Sequence, residues 1–468
     1  MLYNYAIFDL RDDNFEERVE DIVDVVNRKI CALPLMMLQI TPIRTPIVDI
    51  LSEQLRIYKD YSEALKAKGI DLGVLIHTTL LHEEIDEYAP FQPLIKLSDG
   101  EKVAYPYYCP SDKNFIENLK CSIRQIVSLG PKAVMLDDDF NMMMQFGGKG
   151  CACPYHMSEF NRRANTNMTR GELFEHLKTS PRGDKLKKIY IDLMTETITN
   201  AAKELRSAID EIDPSVQGIL CTSGHYCDAA AEISKAFCGK GNPSIVRIPN
   251  GNYAPYSIRG FSELIALTAK CKAKVKQGGV DVVICESDTI PNNRYSKSSR
   301  YLHSHYVTAM LDGLQGGKQW LNRHTSFEKL SGKAYREILA KHQGLYNRLF
   351  SLSNDIRWFG INCAFTVQEE PLFDARLVQR FQPENWAIKN FEEMGLPFFF
   401  SNNAEPANFF EGNMVDTLTD QEIEKFFEGS VFLDCFSAEK LIKRGYGHLL
   451  GVSISDWDLG NAHGECFN

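Results

Sequence analysis

The sequence lacks the features that mark membrane, secreted and nucleic-acid-binding proteins. No apolar run approaches the roughly 20 residues of a membrane-spanning helix, and no basic segment followed by an apolar stretch opens the chain. The net charge of −10 contrasts with the clustered lysine and arginine that phosphate binding requires. We therefore expect a cytoplasmic protein with neither a membrane nor a nucleic-acid partner.

Glycine-rich phosphate turns, low-complexity segments and short repeats are missing as well. What remains is the composition of a globular protein, with 44% hydrophobic and 24% charged residues. A chain of 468 residues is longer than one hydrophobic core usually holds. The length predicts a large domain and a small one, which the patterns below place at residues 1–355 and 356–468.

Short apolar runs alternate with helical patterns over the first domain. Apolar runs of this length between amphipathic helices are typical of buried parallel strands. Eight such strands are predicted, at residues 3–10, 35–40, 72–76, 132–136, 216–220, 244–248, 280–286 and 317–321. Eight β-α units predict a (β/α)8 TIM barrel with enlarged loops. A doubly wound open sheet is the competing interpretation, but no glycine-rich turn follows the first strand.

The same alternation continues on a smaller scale after residue 355. Strands are predicted at 363–367, 397–400 and 431–433, with helices around 386–394 and 420–427. These elements indicate a small α/β domain. Residues 456–468 carry no element pattern, so we expect them to form a tail or to mark where a longer protein was cut.

Carboxylates follow the fourth and seventh predicted strands. Asp137, Asp138 and Asp139 come directly after strand four, and Glu286 ends strand seven on its inward-facing side. The C-terminal ends of barrel strands open into the mouth of the barrel, where active sites of this fold lie. Two carboxyl groups that face each other across the mouth can cleave a glycosidic bond. Alternatively, three adjacent aspartates would suit a calcium site or a turn, and Glu286 would suit a helix cap.

Other polar and aromatic side chains follow several of the remaining strands. A sugar site needs hydroxyl-binding groups at such positions, although each residue alone could equally be a structural hydrogen-bonding group. The candidates for substrate contacts are Asp9, Arg11, His77, Asp137, Asn250, Tyr253, Trp320 and His324. Trp320 could serve either as a stacking platform for a sugar ring or as a lid over the barrel core.

A C-x-C-x2-H motif is the most specific local pattern in the chain. It consists of Cys151, Cys153 and His156, three zinc-type ligands within a few residues. Cys109 is the best candidate for a fourth ligand, because it lies in the loop after strand three, next to the loop after strand four. Four protein ligands indicate a structural zinc, since a catalytic ion keeps one position open. The alternative is three unrelated residues in a polar loop.

Several motifs occur in the order that glycoside hydrolase family 42 shows. They are Cys-Pro-Ser at 109–111, a strand with an acidic end at 137–139, the C-x-C-x2-H motif at 151–156 and Glu-Phe-Asn at 159–161. The chain resembles this family over its whole length. The resemblance implies a catalytic (β/α)8 barrel, a flavodoxin-like α/β domain that mediates trimers, and a further small β domain. We expect this chain to stop within or just after the α/β domain.

The resemblance also implies an activity. It implies a retaining, exo-acting β-glycosidase that hydrolyses terminal β-galactosides or, as in the β-mannosidases of the same clan such as family 164, terminal β-mannosides. Glu286 would be the nucleophile and Asp139 the acid/base. Asp138 would occupy the family's asparagine position, and Glu159 is the rival acid. The cysteines and histidine of the zinc motif would bind a structural zinc ion, and no catalytic cofactor is expected.

The sequence departs from the family pattern at strand four, where Asp138 and Asp139 replace Asn-Glu. Aspartate is one methylene shorter than glutamate, so its reach toward a leaving oxygen must come from elsewhere. A non-catalytic carbohydrate-binding relative that has lost its acid is therefore an alternative function. A metal-dependent TIM-barrel hydrolase is another, with the aspartates and His77 as ligands, although the H-x-H pair expected after strand one is absent.

Overall fold

A computed structural model of the chain describes residues 2–42, 49–80, 89–101, 107–142, 150–180, 183–222, 229–249, 259–289, 297–324, 326–366, 386–412 and 414–454. The chain divides into two compact units, the first reaching Arg357 and the second starting at Trp358. None of the helices within these ranges combines the length and apolarity that crossing a bilayer requires.

The first unit contains a closed barrel of eight parallel strands in chain order. Pairing of the last strand with both the seventh and the first closes the barrel. The strands are β1 (Tyr3–Asp9), β2 (Leu33–Gln39), β3 (Gly73–Thr78), β4 (Ala133–Leu136), β5 (Gln217–Cys221), β6 (Ile245–Ile248), β7 (Val282–Glu286) and β8 (Gly316–Gln319). The predicted (β/α)8 barrel is confirmed.

Helices follow the strands and carry apolar faces. They are α1 (Phe15–Asn27), α2 (Leu51–Lys66), α3 (Lys113–Val127), α4 (Pro154–Ala164), α5 (Arg170–Thr179), α6 (Lys185–Asp210), α7 (Ala230–Phe237), α8 (Arg259–Gln277), α9 (Ser299–Leu311), α10 (Lys333–Lys341) and α11 (Gln343–Leu352). Side chains cap several of them. Asp112, for example, accepts the backbone N–H groups of Asn114 and Phe115 at the start of α3, which satisfies donors that a helix start leaves unpaired.

The period of two along each strand places polar groups in the mouth. One apolar set fills the inside of the barrel and includes Ile7, Leu75, Met135, Ile245 and Ile284. Because side chains alternate across a strand, the residue two positions further on also faces inward. At the C-terminal ends those residues are Asp9, His77, Asp137, Arg247 and Glu286.

The second unit contains a four-stranded parallel sheet with the order β10-β9-β11-β12. This order corresponds to 2-1-3-4, the arrangement that begins a flavodoxin-like sheet. Its elements are β9 (Ile361–Ala364), α12 (Trp386–Met394), β10 (Phe398–Ser401), β11 (Ala407–Phe410), α13 (Met414–Thr417), α14 (Asp420–Phe426), β12 (Ser430–Leu433) and α15 (Cys435–Lys443). The predicted α/β character of this part of the chain is confirmed.

Some elements carry details that the sequence pattern does not predict. Helices α10 and α11 are separated at His342, whose φ of −107° and ψ of 11° leave the helical region. Strand β7 starts at Val282, two residues later than predicted, since the backbone N–H of Asp281 donates to the Ser244 hydroxyl at 3.0 Å. Strand β11 was not predicted, since it is short and carries the buried Asn408, which bonds the Glu405 carbonyl.

Candidate active site

Arg247, at the C-terminal end of β6, joins carboxylates from two distant strands. One guanidinium nitrogen donates to Oε2 of Glu286 at 3.0 Å, and the other donates to Oδ1 of Asp137 at 3.0 Å. The first nitrogen also bonds the Thr222 carbonyl, and Asp138 lies 3.8 Å from the second. Burial alone would lower the pKa of Arg247, but the negative groups around it hold that pKa well above its usual value. The guanidinium therefore stays charged.

Lys318, on β8, is the second cation of the mouth. Its ammonium lies 2.8 Å from Oδ2 of Asp288 and 3.4 Å from Oε1 of Glu286. Burial favours neutral lysine, yet the two carboxylates raise the pKa of Lys318 well above its usual value. Burial raises the pKa of Asp288, and Lys318 opposes that shift. Arg247, Lys318, Asp137, Glu286 and Asp288 form what we call the mouth network.

The three consecutive aspartates after β4 have different surroundings. Asp137 bonds Arg247 and its side chain is 8% exposed, whereas the Asp138 side chain is 18% exposed. Asp139 is buried, and its Oδ2 accepts the N–H of Thr79 at 2.5 Å, the Thr79 hydroxyl at 3.0 Å and the N–H of Leu80 at 2.9 Å. One oxygen of Asp139 is thus committed to the segment that follows β3.

Glu159, the rival acid, lies on α4 in a cluster of ion pairs. Its carboxylate bonds Arg162 at 2.6 Å and Arg163 at 2.7 Å. Hydrogen bonds from these two arginines lower the pKa of Glu159 to about 2. A general acid must carry its proton at the working pH, so these surroundings favour a structural role for Glu159.

Candidate substrate contacts meet where β1 and β8 end. Asp9 bonds the ring of His324 through Oδ1, and Arg11 lies 3.7 Å from its other oxygen. The Trp320 ring meets His324 edge to face, with centroids 5.0 Å apart. Asp9 and Trp320 also line one cleft, together with Arg323. Four of the predicted contact residues therefore lie together.

The other predicted contacts are less closely defined. His77 is the next-to-last residue of β3, lies in the inward-facing phase of the strand and is half-buried. Asn250 and Tyr253 lie outside the described residues. Asp137 is in the mouth, but its bond is to Arg247.

Cys109, Cys151, Cys153 and His156 form what we call the cysteine cluster. Their ligand atoms all lie within 4.8 Å of one another, and all four residues are buried. Nδ1 of His156 is 3.5 Å from Sγ of Cys109 and 3.3 Å from Sγ of Cys153, and the two sulfurs are 3.9 Å apart. Tetrahedral zinc, with Zn–S bonds of about 2.3 Å, would separate its ligands by about 3.5–4 Å. The group could therefore hold a metal ion.

The local sequence explains how this cluster forms. Nε2 of His156 lies 3.1 Å from the Thr197 hydroxyl on α6, which fixes which ring nitrogen faces the sulfurs. Gly150, with φ of +86°, brings the loop close to α6, since a Cβ there would lie 2.6 Å from the Tyr190 hydroxyl. Burial raises the pKa of Cys109 to about 12, whereas hydrogen bonds from neighbouring thiols lower that of Cys153. A single cation would stabilise the whole set as thiolates.

Sequence reasoning missed three members of the mouth network, Arg247, Lys318 and Asp288. A signal for the two cations was present, because each is a charged residue in the interior phase of an otherwise buried barrel strand. Such a residue must be paired to be stable. Asp288 lies beyond the end of β7 and has no comparable signal.

The fold is similar to those of several solved glycosidases. A β-galactosidase from the psychrophilic Marinomonas ef1 superimposes with a TM-score of 0.53 at 10% identity, covering 92% of this chain and 75% of that one. A β-galactosidase from Bacillus circulans sp. alkalophilus gives a TM-score of 0.54 at 11% identity, covering 93% and 71%. The α-L-fucosidase isoenzyme 2 from Paenibacillus thiaminolyticus gives 0.51 at 11% identity, covering 92% of this chain and 64% of that one.

At such low identity the likeness concerns the fold alone. No protein-family model matches the chain, and no curated protein sequence matches it either.

Proposed function

We propose that the chain is a retaining, exo-acting β-glycosidase that hydrolyses terminal β-galactoside or β-mannoside residues. The observation that carries the proposal is the guanidinium of Arg247, which bonds carboxylates from the ends of β4 and β7 at once. Asp138, the neighbour of Asp137, lies 3.8 Å from the same guanidinium. A carboxylate after β4 and Glu286 beside one shared cation are compatible with the separation of about 5 Å that the two carboxyl groups of retaining glycosidases show. The β-galactosidase neighbours and the resemblance to family 42 support the same activity.

Glu286 is the nucleophile in this proposal. Its carboxylate attacks the anomeric carbon and forms a covalent glycosyl-enzyme while the glycosidic bond to the leaving oxygen breaks. The neighbouring Arg247 and Lys318 favour the ionised form that attack requires. Water then cleaves the ester and regenerates the carboxylate.

We assign the acid/base role to Asp138. A general acid must reach the leaving oxygen, and Asp138 has the most exposed side chain of the three aspartates after β4. Asp139, the acid that the family resemblance implies, stays a prediction that the experiment below compares directly with Asp138.

Glu286→Gln tests the nucleophile. Turnover of an activated aryl glycoside should fall by about 10⁴-fold or more, as expected for loss of a covalent nucleophile, while the protein stays folded. A 2-deoxy-2-fluoro galactosyl or mannosyl fluoride should add one glycosyl mass to the wild type on the peptide that contains Glu286. Glu204→Gln, which changes an exposed glutamate on α6, is the matched control. Retention of more than about a tenth of the rate, against the loss expected for a nucleophile, would contradict the assignment.

Azide rescue tests the acid/base. A mutant that lacks this residue should regain turnover with azide on a substrate with a good leaving group, because azide needs no general base. We expect rescue of Asp138→Ala and not of Asp139→Ala or Glu159→Ala. The opposite pattern would transfer the role. No turnover by the wild type on galactosides and mannosides, with binding retained, would favour the non-catalytic carbohydrate-binding relative.

The cysteine cluster binds structural zinc in this proposal. Three sulfurs and one imidazole nitrogen are soft and borderline ligands that suit zinc, and four protein ligands close the site. The ion would hold the loop after β4 against α6 and take no part in the chemistry. Self-association as a trimer through the second unit rests on the family resemblance. Light scattering at micromolar concentration that shows only a 53.1 kDa species would contradict it.

A further inference from the structure

The two cations beside Glu286, Arg247 and Lys318, interact with different sets of carboxylates. Arg247 serves Asp137 and Glu286 by direct bonds and lies 3.8 Å from Asp138. The described contacts of the Lys318 ammonium are with Glu286 and Asp288 alone. Arg247 thus interacts with carboxylates at the ends of two strands, β4 and β7. Lys318 interacts with two carboxylates at or just after the end of a single strand, β7.

Asp288 determines where Lys318 sits. Its Oδ1 accepts the backbone N–H of Trp320 at 2.5 Å, and its Oδ2 accepts the Lys318 ammonium at 2.8 Å. The next residue strengthens this link, since the Thr289 hydroxyl donates to the Trp320 carbonyl at 2.7 Å. The end of β8 is therefore tied to the segment after β7, and the ammonium is held nearer to Asp288 than to Glu286.

We propose that Lys318 is a positioning residue that keeps Glu286 ionised and oriented for attack, and that Asp288 sets how much of the Lys318 charge Glu286 receives. The inference rests on the proposed function, because it assigns the pair to the nucleophile of that reaction. It deepens that function by assigning roles to two residues that act through the nucleophile.

The charges around Glu286 fix the direction of the expected effects. Arg247 on β6 and Lys318 on β8 are the cations, Asp137 and Asp138 after β4 are the anions across the mouth, and Asp288 is the anion nearest to Lys318. A further cation, the Lys297 ammonium, donates to the backbone carbonyl of Asp288. Removing an opposite charge makes a carboxylate protonate at higher pH, and removing a like charge makes it protonate at lower pH.

The experiment is a pH profile of kcat/KM for the full chain, with an activated aryl glycoside whose departure needs no acid. Lys318→Met should move the acid limb to higher pH by about one unit, within the range for loss of a close opposite charge. Asp288→Asn keeps one acceptor oxygen, for the Trp320 N–H, but removes the charge and the oxygen that faces Lys318. Its acid limb should therefore move to lower pH. Lys318→Arg keeps the charge and should leave the limb near that of the wild type.

The control is Lys272→Met. Lys272 bonds the largely buried Asp312 at 2.8 Å outside the barrel interior, so this variant loses a comparable pair and should leave the limb in place. Acid limbs that stay fixed, or that move in the same direction in Lys318→Met and Asp288→Asn, would overturn the proposal. A merely structural role would lower kcat in both variants without displacing the limbs in opposite directions.

A second measurement does not need turnover. The free energy of unfolding of each variant is compared, as a function of pH, with that of its double mutant carrying Glu286→Gln. The difference between the two free energies reports the protonation of Glu286. As the pH falls, this difference should change at a higher pH in Lys318→Met than in Asp288→Asn. If Glu286→Gln keeps turnover while this order holds, the proposed nucleophile is wrong but the pairing is right. The reverse order overturns the pairing.

Discussion

The mouth network and the cysteine cluster both bury polar side chains, but they satisfy them in different ways. In the mouth, Arg247 and Lys318 lie against carboxylates, so these buried groups have partners of opposite charge. In the cluster, the sulfurs of Cys109 and Cys153 and the ring of His156 face one another, and all of them are electron-pair donors. The comparison teaches that a mixed set of charges is complete by itself, whereas a set of like donors needs a cation from outside.

The largest expected effect is loss of metal from the cysteine cluster. Purified protein should contain about one zinc per chain, and Cys153→Ser should contain almost none, because a hydroxyl is a poor replacement for a thiolate ligand. Its unfolding midpoint should also fall by several degrees, and a chelator should lower the midpoint of the wild type in the same way.

Cys271→Ser is the matched control for this metal analysis. Cys271 is a buried cysteine on α8, outside the cluster, so its replacement should leave the metal content unchanged. Absence of zinc from wild-type protein prepared without chelators would contradict the prediction and weaken the comparison.

Removal of Arg247 should break the charge balance of the mouth. Arg247→Met leaves Glu286 and Asp137 facing each other without their shared cation. Loss of one partner from a buried ion pair costs about 3–5 kcal/mol of unfolding free energy, measurable by urea denaturation at neutral pH. Arg124→Met removes a more exposed arginine bonded to Glu211 at 2.7 Å and should cost about 0–1 kcal/mol. Equal losses of unfolding free energy in the two variants would show that the buried ion pairs of the mouth contribute no more to stability than an exposed pair.

A third prediction compares two buried lysines. Lys297 bonds a carbonyl and the His305 ring, at 2.8 and 3.1 Å, where Lys318 bonds carboxylates. Burial accordingly lowers the pKa of Lys297 to about 8, whereas that of Lys318 is raised. The unfolded chain holds the lysine proton up to about pH 10.4. Between these values the unfolded state binds more protons, so the contribution of Lys297 to stability rises with pH.

The measurement is the free energy of unfolding of wild type and Lys297→Met across this window. The wild type should gain about 3 kcal/mol relative to the variant as the pH rises from below 8 to above 10, from the linkage between pKa and stability. A difference that stays constant would mean that Lys297 titrates normally, and that burial without a carboxylate partner does not shift a lysine here.

Local pattern was enough for the barrel and for the cysteine cluster. Short apolar runs between helical patterns predicted all eight barrel strands to within a few residues, because a parallel strand buried on both faces is apolar along most of its length. The cluster was predicted because three of its four ligands, from Cys151 to His156, lie within a few residues. Strand β11 and the break at His342 were not predicted, since both depend on contacts from other segments.

The candidate site was predicted less completely. Glu286 and the aspartates after β4 were found from strand ends and inward phase. Their partners were not, because Arg247 lies far along the chain from the aspartate it bonds. The choice among the three aspartates also depends on surroundings, since Asp139 is committed to Thr79 while Asp138 is the more exposed.

By itself, the sequence determined which barrel strands form, which face of each strand is buried, and which carboxylates stand at the ends of strands four and seven. These properties follow from local periodicity and side-chain chemistry, which act over a few residues. Only the tertiary structure decided that Arg247 bridges β4 and β7 and that Lys318 is shared between Glu286 and Asp288. Those contacts arise because closing the barrel brings strands far apart in the sequence to one mouth, where buried charges must find partners across the barrel.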